Sequence, residues 1–386
     1  MLRKLCALLV SILFSMAFLE AGLRLADGLA QRNEALGDLD LATQLARSAE
    51  ARPEDARERF GLYGLVEASP HDDIVYRLKP NLRGTFRDQP VETNRYGHRQ
   101  RTTPALPKPN DTFRIVGLGD SNMFGWGVPQ GSSYMEQLEE RLLERRGEGG
   151  KRAEVVNCAV PGYNTVMETA TYEHVCRGFD PDLVVLHWVG NDFGFPHFLK
   201  PSQEGAATDG GDTEGAVPVW QRSFLVRRVA ALLGKVEPGA DASDELDPTA
   251  LPELLPHRGG VPQEERRAAR NEVRHMVGAE AALAALERLA QRTREDGVPV
   301  VFLILGQGSE DRILVSETAE RLQFDVANAA PRFAAALEEA GVEGTPLDFK
   351  RRFTIPGDGH PSVEAHREYA EFLAEVIAPY LARSGL

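Results

Sequence analysis

One stretch of the sequence constrains the fold more than any other, because an apolar strand there runs directly into a small polar turn. Residues 113–127 read FRIVGLGDSNMFGWG. The apolar residues predict a buried strand, and the Gly-Asp-Ser turn displays Ser121 at its carboxyl end, where open α/β sheets build their sites. Gly119 permits a tight turn there. Ser121 is therefore the candidate nucleophile, although the tripeptide taken alone is more typical of an ordinary turn that caps a helix.

The chain after this stretch alternates between apolar runs typical of strands and periodic segments typical of helices. Strands are predicted at 113–119, 153–160, 183–189 and 298–305, with a short one near 345–349, and helices at 133–145, 166–177, 279–296, 333–340 and 362–382. This alternation predicts a parallel sheet between two layers of helices, which is a three-layer α/β/α sandwich. Neither the dinucleotide fingerprint nor the P-loop pattern follows a strand, so nucleotide binding has no support.

Composition limits the possible partners. The chain has 386 residues, of which 42% are hydrophobic, enough for one sizeable core with appendages. Its formal net charge of -14 argues against a nucleic-acid partner. Outside the first apolar segment, which contains Cys6, the cysteines Cys158 and Cys176 allow at most one intrachain bridge. No CxxC spacing indicates a zinc site, and both residues are interpreted as buried apolar side chains.

The amino terminus carries a targeting signal. Arg3 and Lys4 precede the uncharged run at 5–19, in the charged-then-apolar order of an export signal. Because no convincing cleavage site follows, residues 1–25 predict an uncleaved, single-pass transmembrane anchor. A removed signal peptide is the alternative. The expected location is the cell membrane, with the rest of the chain in the periplasm.

Three further regions follow the predicted anchor. Residues 26–60 predict a helical stalk, and residues 61–111 predict a small strand-rich lead-in packed on the main domain. The main domain spans 112–386 and contains a mobile insertion at about 200–265, rich in Gly, Asp, Glu and Pro. An apolar patch at 220–233 predicts a short helix within this insertion, which is either a lid over the site or a tolerated surface loop.

Residues suited to acyl transfer recur where the predicted strands end. A nucleophilic serine needs a base, a group that orients the base, and donors for the developing oxyanion. Gly162 lies in the turn after the second strand, and Asn191 lies in the Gly-Asn-Asp turn after the third. Asp358 and His360 share one loop that opens the last helix. Each has an ordinary structural explanation alone, but their ordered recurrence at one sheet edge indicates a serine esterase.

Four sequence blocks carry a family resemblance. GDS at 119–121, Gly162, GND at 190–192 and DGHP at 358–361 resemble the blocks of the SGNH, or GDSL-type, hydrolases. The likeness covers about 113–380 apart from the insertion. The amino-terminal regions also resemble those of exported, membrane-anchored bacterial members of this broad family.

The resemblance implies a fold and a set of roles. The fold would be a flavodoxin-like α/β/α sandwich with a parallel sheet. Ser121 would be the nucleophile, His360 the general base and Asp358 the residue that orients the base. The oxyanion hole would consist of the Ser121 and Gly162 backbone N–H groups and the Asn191 side chain. No metal or organic cofactor is implied.

The chain departs from the family pattern at the acidic residue. Many members place it three positions before the histidine, where this chain has Gly357, whereas Asp358 lies only two before. Asp348 is therefore a second candidate for orienting the base. Other polar residues are interpreted as structural: we expect Asp120 and Asp192 to bond turn backbones, and His187 and His366 to lie in the core.

The predicted function is a serine esterase that hydrolyses carboxylic esters through an acyl-enzyme on Ser121. Its substrate would be an ester-bearing small molecule, lipid or glycan, and the membrane would be contacted through the amino-terminal segment. Two alternatives stay open at this point. One is an O-acetyltransferase acting on an exported polysaccharide, and the other is a non-catalytic envelope module that binds glycans.

Overall fold

A computed structural model describes the chain in separate stretches, residues 58–144, 151–200, 254–257, 263–306 and 308–384. All of them belong to one unit of the chain, which spans Ala56–Ala207 and Asp244–Leu386. The predicted anchor, nearly all of the predicted stalk and most of the insertion, including the helix predicted at 220–233, lie outside the described residues.

The predictions of a membrane anchor and of a periplasmic location are corrected. Across the stretches that the structure describes, no helix has both the length and the apolar character needed to cross a membrane. The segment that suggested an anchor, residues 1–25, lies outside those stretches. The structure therefore gives no support to the anchor, to the membrane contact or to the location inferred from them, and all three are withdrawn.

The lead-in, together with the last three residues of the predicted stalk, forms short strands and one single-turn helix. They are β1 (Glu58–Phe60), α1 (Leu62–Leu65), β2 (Val66–Ala68), β3 (Tyr76–Leu78), β4 (Arg83–Phe86) and β5 (Gln89–Glu92). Strand β1, at the end of the predicted helical stalk, pairs in parallel with β4, while β4–β5 and β2–β3 are antiparallel pairs. Arg87 and Asp88 form the turn between β4 and β5 with φ values of 51° and 58°. Two consecutive positive φ angles match the twist of a two-residue hairpin.

The main domain is built on one parallel sheet. Its strands are β6 (Thr112–Leu118), β7 (Arg152–Asn157), β8 (Leu183–His187), β11 (Val300–Ile304) and β12 (Asp325–Asn328). They lie in the order β7-β6-β8-β11-β12, and every neighbouring pair is parallel. Numbered among themselves, these strands have the order 2-1-3-4-5, which is the flavodoxin-like arrangement of a doubly wound sheet. A small antiparallel pair, β9 (Phe198–Leu199) and β10 (Leu255–Pro256), joins the two sides of the insertion.

Helices cover both faces of this sheet. They are α2 (Ser121–Phe124), α3 (Tyr134–Glu144), α4 (Thr165–His174), α5 (Gln263–Glu272), α6 (Ala279–Asp296), α7 (Glu310–Arg321), α8 (Ala330–Glu339), α9 (Pro346–Phe353) and α10 (Val363–Ser384), with 3-10 turns at Cys176–Phe179 and Arg274–Met276. Alternate residues of β6 enter two hydrophobic clusters: Phe113 and Ile115 pack with α3, α8 and α10, while Val116 and Leu118 pack with α6 and α7. The predicted sandwich of helices around a parallel sheet is thus confirmed.

The prediction of a strand near 345–349 is wrong. Residues 346–353 form helix α9, because the Thr345 side chain accepts a hydrogen bond from the Asp348 backbone N–H and the Asp348 carboxylate accepts one from the Thr345 backbone. This reciprocal capping satisfies free N–H groups at a helix start, and Pro346 is suited to the first turn. The fifth strand of the sheet is β12 instead.

The two cysteines of the main domain are joined. Cys158 directly follows β7, Cys176 lies just beyond α4, and their sulfur atoms form a disulfide across 18 positions of sequence. The interpretation of these residues as separate apolar side chains is therefore wrong, although both are buried. The bridge ties the end of a strand to the end of the helix that follows it, on either side of the turn that contains Gly162.

Candidate active site

Ser121 lies where the strand-turn pattern predicted it, directly beyond the carboxyl end of β6. It is the first residue of the single-turn helix α2, and the Asp120 side chain caps that helix by accepting from the Asn122 backbone N–H at 2.9 Å. Gly125 ends the helix in a left-handed conformation, with φ at 88°. A Cβ atom at this position would lie 2.6 Å from a nitrogen of Arg99. The chain therefore turns away tightly after the serine.

His360 and Asp358 meet Ser121 from the loop between α9 and α10. His360 Nε2 lies 2.9 Å from Ser121 Oγ, and His360 Nδ1 hydrogen-bonds Asp358 Oδ1. Gly357 and Gly359 flank the aspartate with φ values of 79° and 86°. Left-handed backbone on both sides bends the loop, so that an aspartate only two positions before the histidine reaches its ring.

The charge of Asp358 is stabilised by its neighbours. Burial opposes ionisation, but the hydrogen bond and charge of His360, a hydrogen bond from Trp126 and the charge of Arg87 outweigh it and lower the pKa of Asp358 to about 2. A carboxylate that is ionised at neutral pH can hold the imidazole in one orientation and stabilise a positive charge on it. The predicted alternative, Asp348, hydrogen-bonds Thr345 at the start of α9.

Gly162 forms the second predicted part of the site. Its φ is 76°, and a Cβ atom there would lie 2.5 Å from His197 Cβ and 2.8 Å from the Tyr76 hydroxyl oxygen. Only glycine fits this turn without displacing its neighbours. Within the described part of the chain, neither the Ser121 nor the Gly162 backbone N–H has a hydrogen-bond acceptor. Both groups are therefore available to an oxyanion.

The Asn191 side chain reaches the Gly-Asp-Ser turn at residues 119–121, the nucleophile turn. Its Nδ2 donates to Asp120 Oδ2 at 3.0 Å, and the same oxygen lies 3.2 Å from Ser121 Oγ. The Asn191 amide carries two N–H bonds, so one can hold the side chain against Asp120 while the other is directed elsewhere. The turn that contains Asn191 is fixed in part by Asp192, whose carboxylate accepts from the Val189 backbone N–H at 2.6 Å.

The four polar residues that were interpreted as structural have the backbone bonds and the burial that were expected of them. Asp120 and Asp192 both bond turn backbones. His187 Nδ1 lies 2.8 Å from the Tyr134 hydroxyl, and His366 Nδ1 accepts from the Tyr134 backbone N–H at 3.2 Å. Burial is the main cause that lowers the pKa of His187 to about 4 and that of His366 to about 3, so both rings are neutral.

Two buried carboxyl groups, those of Glu168 and Asp192, interact electrostatically with Asp120. Burial, followed by the charges of Asp192 and Asp120, raises the pKa of Glu168 well above its ordinary value. Burial and the charge of Asp120 do the same for Asp192. Neither Glu168 oxygen has a hydrogen-bond partner among the described residues. Burial therefore shifts Glu168 toward its neutral form.

One cluster among the described residues has donor types that suit a metal. His98, Cys158 and Cys176 place a ring nitrogen and two sulfur atoms within 4.8 Å of one another, and all three residues are buried. The two sulfurs are bonded to each other, however. A disulfide sulfur is not the thiolate that binds zinc or copper. The residues around Ser121 do not belong to this cluster.

Trp126 belongs to the site and was missed by sequence reasoning. Its ring stacks on the His360 ring with a centroid distance of 4.8 Å, and its Nε1 donates to Asp358 Oδ2 at 2.9 Å. The tryptophan and the aspartate are 232 positions apart. The only sequence signal was the position of an aromatic residue in the glycine-flanked loop after the serine.

The doubly wound α/β fold places serine, histidine and aspartate side chains in a hydrogen-bonded series at the carboxyl edge of the sheet. This arrangement defines the class of serine hydrolases. The sequence narrows this class. A model of the GDSL-like lipase/acylhydrolase family matches residues 118–368, which is more than half of the chain. The chain belongs to this family, as its sequence blocks suggested, and it is an ester-hydrolysing enzyme.

The chain also resembles solved structures that are distant from it in sequence. The crystal structure of TesA is 15% identical, with coverage of 69% of this chain and 99% of its own and a TM-score of 0.38. The acetyl xylan esterase AlAXEase is 12% identical, with coverage of 69% and 100% and a TM-score of 0.39. A catalytic mutant of Axe2, an acetylxylan esterase from Geobacillus stearothermophilus, is 14% identical, with coverage of 69% and 94% and a TM-score of 0.38. A comparison with curated proteins gave no match.

Proposed function

We propose that the enzyme hydrolyses carboxylic esters through an acyl-enzyme formed on Ser121, with His360 as general base and Asp358 as the residue that orients it. One observation carries the proposal: His360 Nε2 is 2.9 Å from Ser121 Oγ while Asp358 bonds the other ring nitrogen. This series of contacts allows the serine proton to leave as its oxygen attacks a carbonyl carbon.

The first half-reaction forms the acyl-enzyme. Ser121 Oγ attacks the ester carbonyl carbon and His360 Nε2 accepts its proton, leaving an imidazolium whose Nδ1–H is bonded to Asp358. The carbonyl oxygen becomes an oxyanion, which the Ser121 and Gly162 backbone N–H groups and the second N–H of Asn191 stabilise. When the carbon–oxygen bond to the alcohol breaks, the imidazolium returns the proton to the departing alkoxide.

The second half-reaction regenerates the serine. A water molecule loses a proton to His360 Nε2 and attacks the acyl carbon, and the same donors stabilise the second oxyanion. The carboxylic acid then leaves as the proton returns to Ser121 Oγ. The acceptor is an alcohol in the acyltransferase alternative. We adopt hydrolysis because the family is one of ester-hydrolysing enzymes.

Labelling with a fluorophosphonate tests whether Ser121 is activated. The full chain should react, and Ser121→Ala and His360→Ala should abolish labelling, with circular dichroism confirming that each variant is folded. Asp358→Asn should slow labelling about 10²-fold or more, because an amide cannot stabilise the imidazolium. Asp348→Asn is the matched control: it removes a carboxylate from the cap of α9 and should leave the labelling rate unchanged.

A folded parent that fails to label would count against the proposal, and so would labelling that survives in Ser121→Ala. If Asp348→Asn slows labelling while Asp358→Asn does not, the orienting role belongs to Asp348. A panel of small acyl esters, with release of acid and transfer to added alcohols measured side by side, then separates hydrolysis from acyl transfer.

A further inference from the structure

Trp126 contacts both members of the histidine–aspartate pair. Its ring lies 4.8 Å from the His360 ring at an interplanar angle of 15°, and its Nε1 donates to Asp358 Oδ2 at 2.9 Å. Asp358 Oδ1 bonds His360 Nδ1. The two carboxylate oxygens therefore have separate partners, and rotation of the carboxylate would break both bonds. The indole fixes the plane of the carboxylate and one face of the imidazole at the same time.

The tryptophan itself is held by the lead-in through a buried guanidinium. Arg99 donates to the carbonyl oxygens of Phe124 at 2.9 Å and of Val128 at 2.6 Å, and also to that of Gly125. Trp126 lies between these acceptors in sequence. Arg99 is 2% exposed. A buried, charged donor makes strong hydrogen bonds, so these bonds fix the backbone on both sides of Trp126.

The β4–β5 hairpin of the lead-in packs on the indole as well. The Phe86 ring meets the Trp126 ring edge to face, with centroids 4.8 Å apart and an interplanar angle of 89°. The guanidinium carbon of Arg87 lies 4.9 Å from the centroid of the same ring. The faces of the indole are thus shared between the hairpin and His360, and Trp126 is only 6% exposed.

We propose that Trp126 is a positioning residue for the reaction. We propose also that the lead-in contributes to catalysis by holding Trp126 in place through Arg99 and the β4–β5 hairpin. The inference rests on the proposed function, because it requires His360 and Asp358 to act on Ser121. If Trp126 served only to fill space, its ring would suffice. The hydrogen bond to Asp358 gives its N–H a role that packing alone does not require.

Steady-state kinetics of the full-length enzyme with 4-nitrophenyl acetate test this role. Trp126→Phe keeps an aromatic ring next to His360 but removes the N–H donor. It should lower kcat about tenfold and leave KM unchanged, since a hydrogen bond to a charged group is worth enough for such a factor. Trp126→Leu removes the ring as well and should lower kcat further. Phe86→Leu, in the hairpin, should lower kcat by a smaller factor.

Tyr172→Phe is the matched control. It also removes one donor to a carboxylate from an aromatic ring, because the Tyr172 hydroxyl donates to Asp296 at 2.9 Å. Asp296 ends α6 just before β11 begins, at the amino edge of the parallel sheet, whereas Ser121 follows the carboxyl end of β6. The variant should therefore lose thermal stability and keep kcat. Ser121→Ala, assayed in parallel, tests the proposed function independently.

The result that overturns the inference is a folded Trp126→Phe and Trp126→Leu pair with the parent kcat, or a change confined to thermal stability or to KM. If Ser121→Ala is inactive in that experiment, only the role of Trp126 fails. If Ser121→Ala keeps the parent activity, the proposed function fails and the inference fails with it. A lower kcat at unchanged KM in Trp126→Phe, with Tyr172→Phe normal, supports both.

Discussion

At the scale of single residues, Asp120 is the hydrogen-bond acceptor that organises the nucleophile turn, residues 119–121. It is 1% exposed and accepts hydrogen bonds from the Asn122 backbone N–H at 2.9 Å and from Asn191 Nδ2 at 3.0 Å. A buried carboxylate needs such donors. Because Asn191 is one of them, the position of the proposed oxyanion donor depends on the residue directly before the nucleophile.

Asn191→Ala should lower kcat about 10²-fold or more, because removal of one oxyanion-hole donor typically has an effect of this size. Hydrolysis of a small acetate ester measures it. Asn271→Ala makes the same substitution at an exposed position of helix α5 and should leave kcat unchanged. Turnover by Asn191→Ala at the parent rate would exclude this side chain from the site.

Sequence reasoning and the structure agree on which residues meet at this scale. Ser121, His360 and Asp358 were predicted from the turns that contain them, and the structure brings them together, while their chemical roles stay a proposal. The two-residue spacing of aspartate and histidine works because Gly357 and Gly359 adopt positive φ angles. Trp126 could not be predicted, because its partners come from the other end of the chain.

At the scale of elements, local sequence signals identified strands most clearly where burial is continuous. Strands β6, β8 and β11 are buried at every position and read clearly as apolar runs. Strand β12 spans four residues with an exposed Asp325 at one end, so its sequence carries little pattern. The prediction of a strand near 345–349 overlooked a signal that was present, because threonine and proline followed by aspartate are typical of the start of a capped helix.

Helix α3 carries an acidic residue whose pKa is raised by its packing on β7. Glu139 accepts a hydrogen bond from the Val155 backbone N–H at 3.3 Å. Burial is the largest cause of its shift and outweighs this bond, raising the pKa of Glu139 from 4.5 to about 7. A carboxyl group whose pKa is higher in the folded state stabilises the fold while it is protonated. That contribution is lost as the pH rises from 4.5 to about 7.

Glu139→Gln should therefore gain free energy of unfolding over the parent at pH 8, on the order of 1–3 kcal/mol, and gain much less at pH 5. The amide keeps an acceptor for Val155 and cannot ionise. Urea unfolding of both proteins at the two pH values measures the difference. Glu140→Gln removes a negative charge from an exposed position of the same helix and controls for net charge. An equal difference at both pH values would contradict the assignment.

At the scale of the whole molecule, the lead-in and the main domain are joined at the site itself. The Tyr76 hydroxyl donates to the Pro161 carbonyl at 2.9 Å, and the Tyr163 hydroxyl donates to the Tyr76 carbonyl at 2.6 Å. These bonds fix both sides of Gly162. Together with the contacts of Arg99 and Phe86 around Trp126, they link the lead-in to two of the loops from which the proposed reaction is built.

Trapping the acyl-enzyme tests the central claim most directly. The full-length enzyme is mixed with 4-nitrophenyl acetate, quenched in acid during turnover, digested and analysed by peptide mass spectrometry. We expect an acetyl group on the peptide that contains Ser121, which disappears when substrate is exhausted and never forms in Ser121→Ala. Turnover without acetylated Ser121 in the quenched enzyme, or with the acetyl group on another residue, would contradict the account.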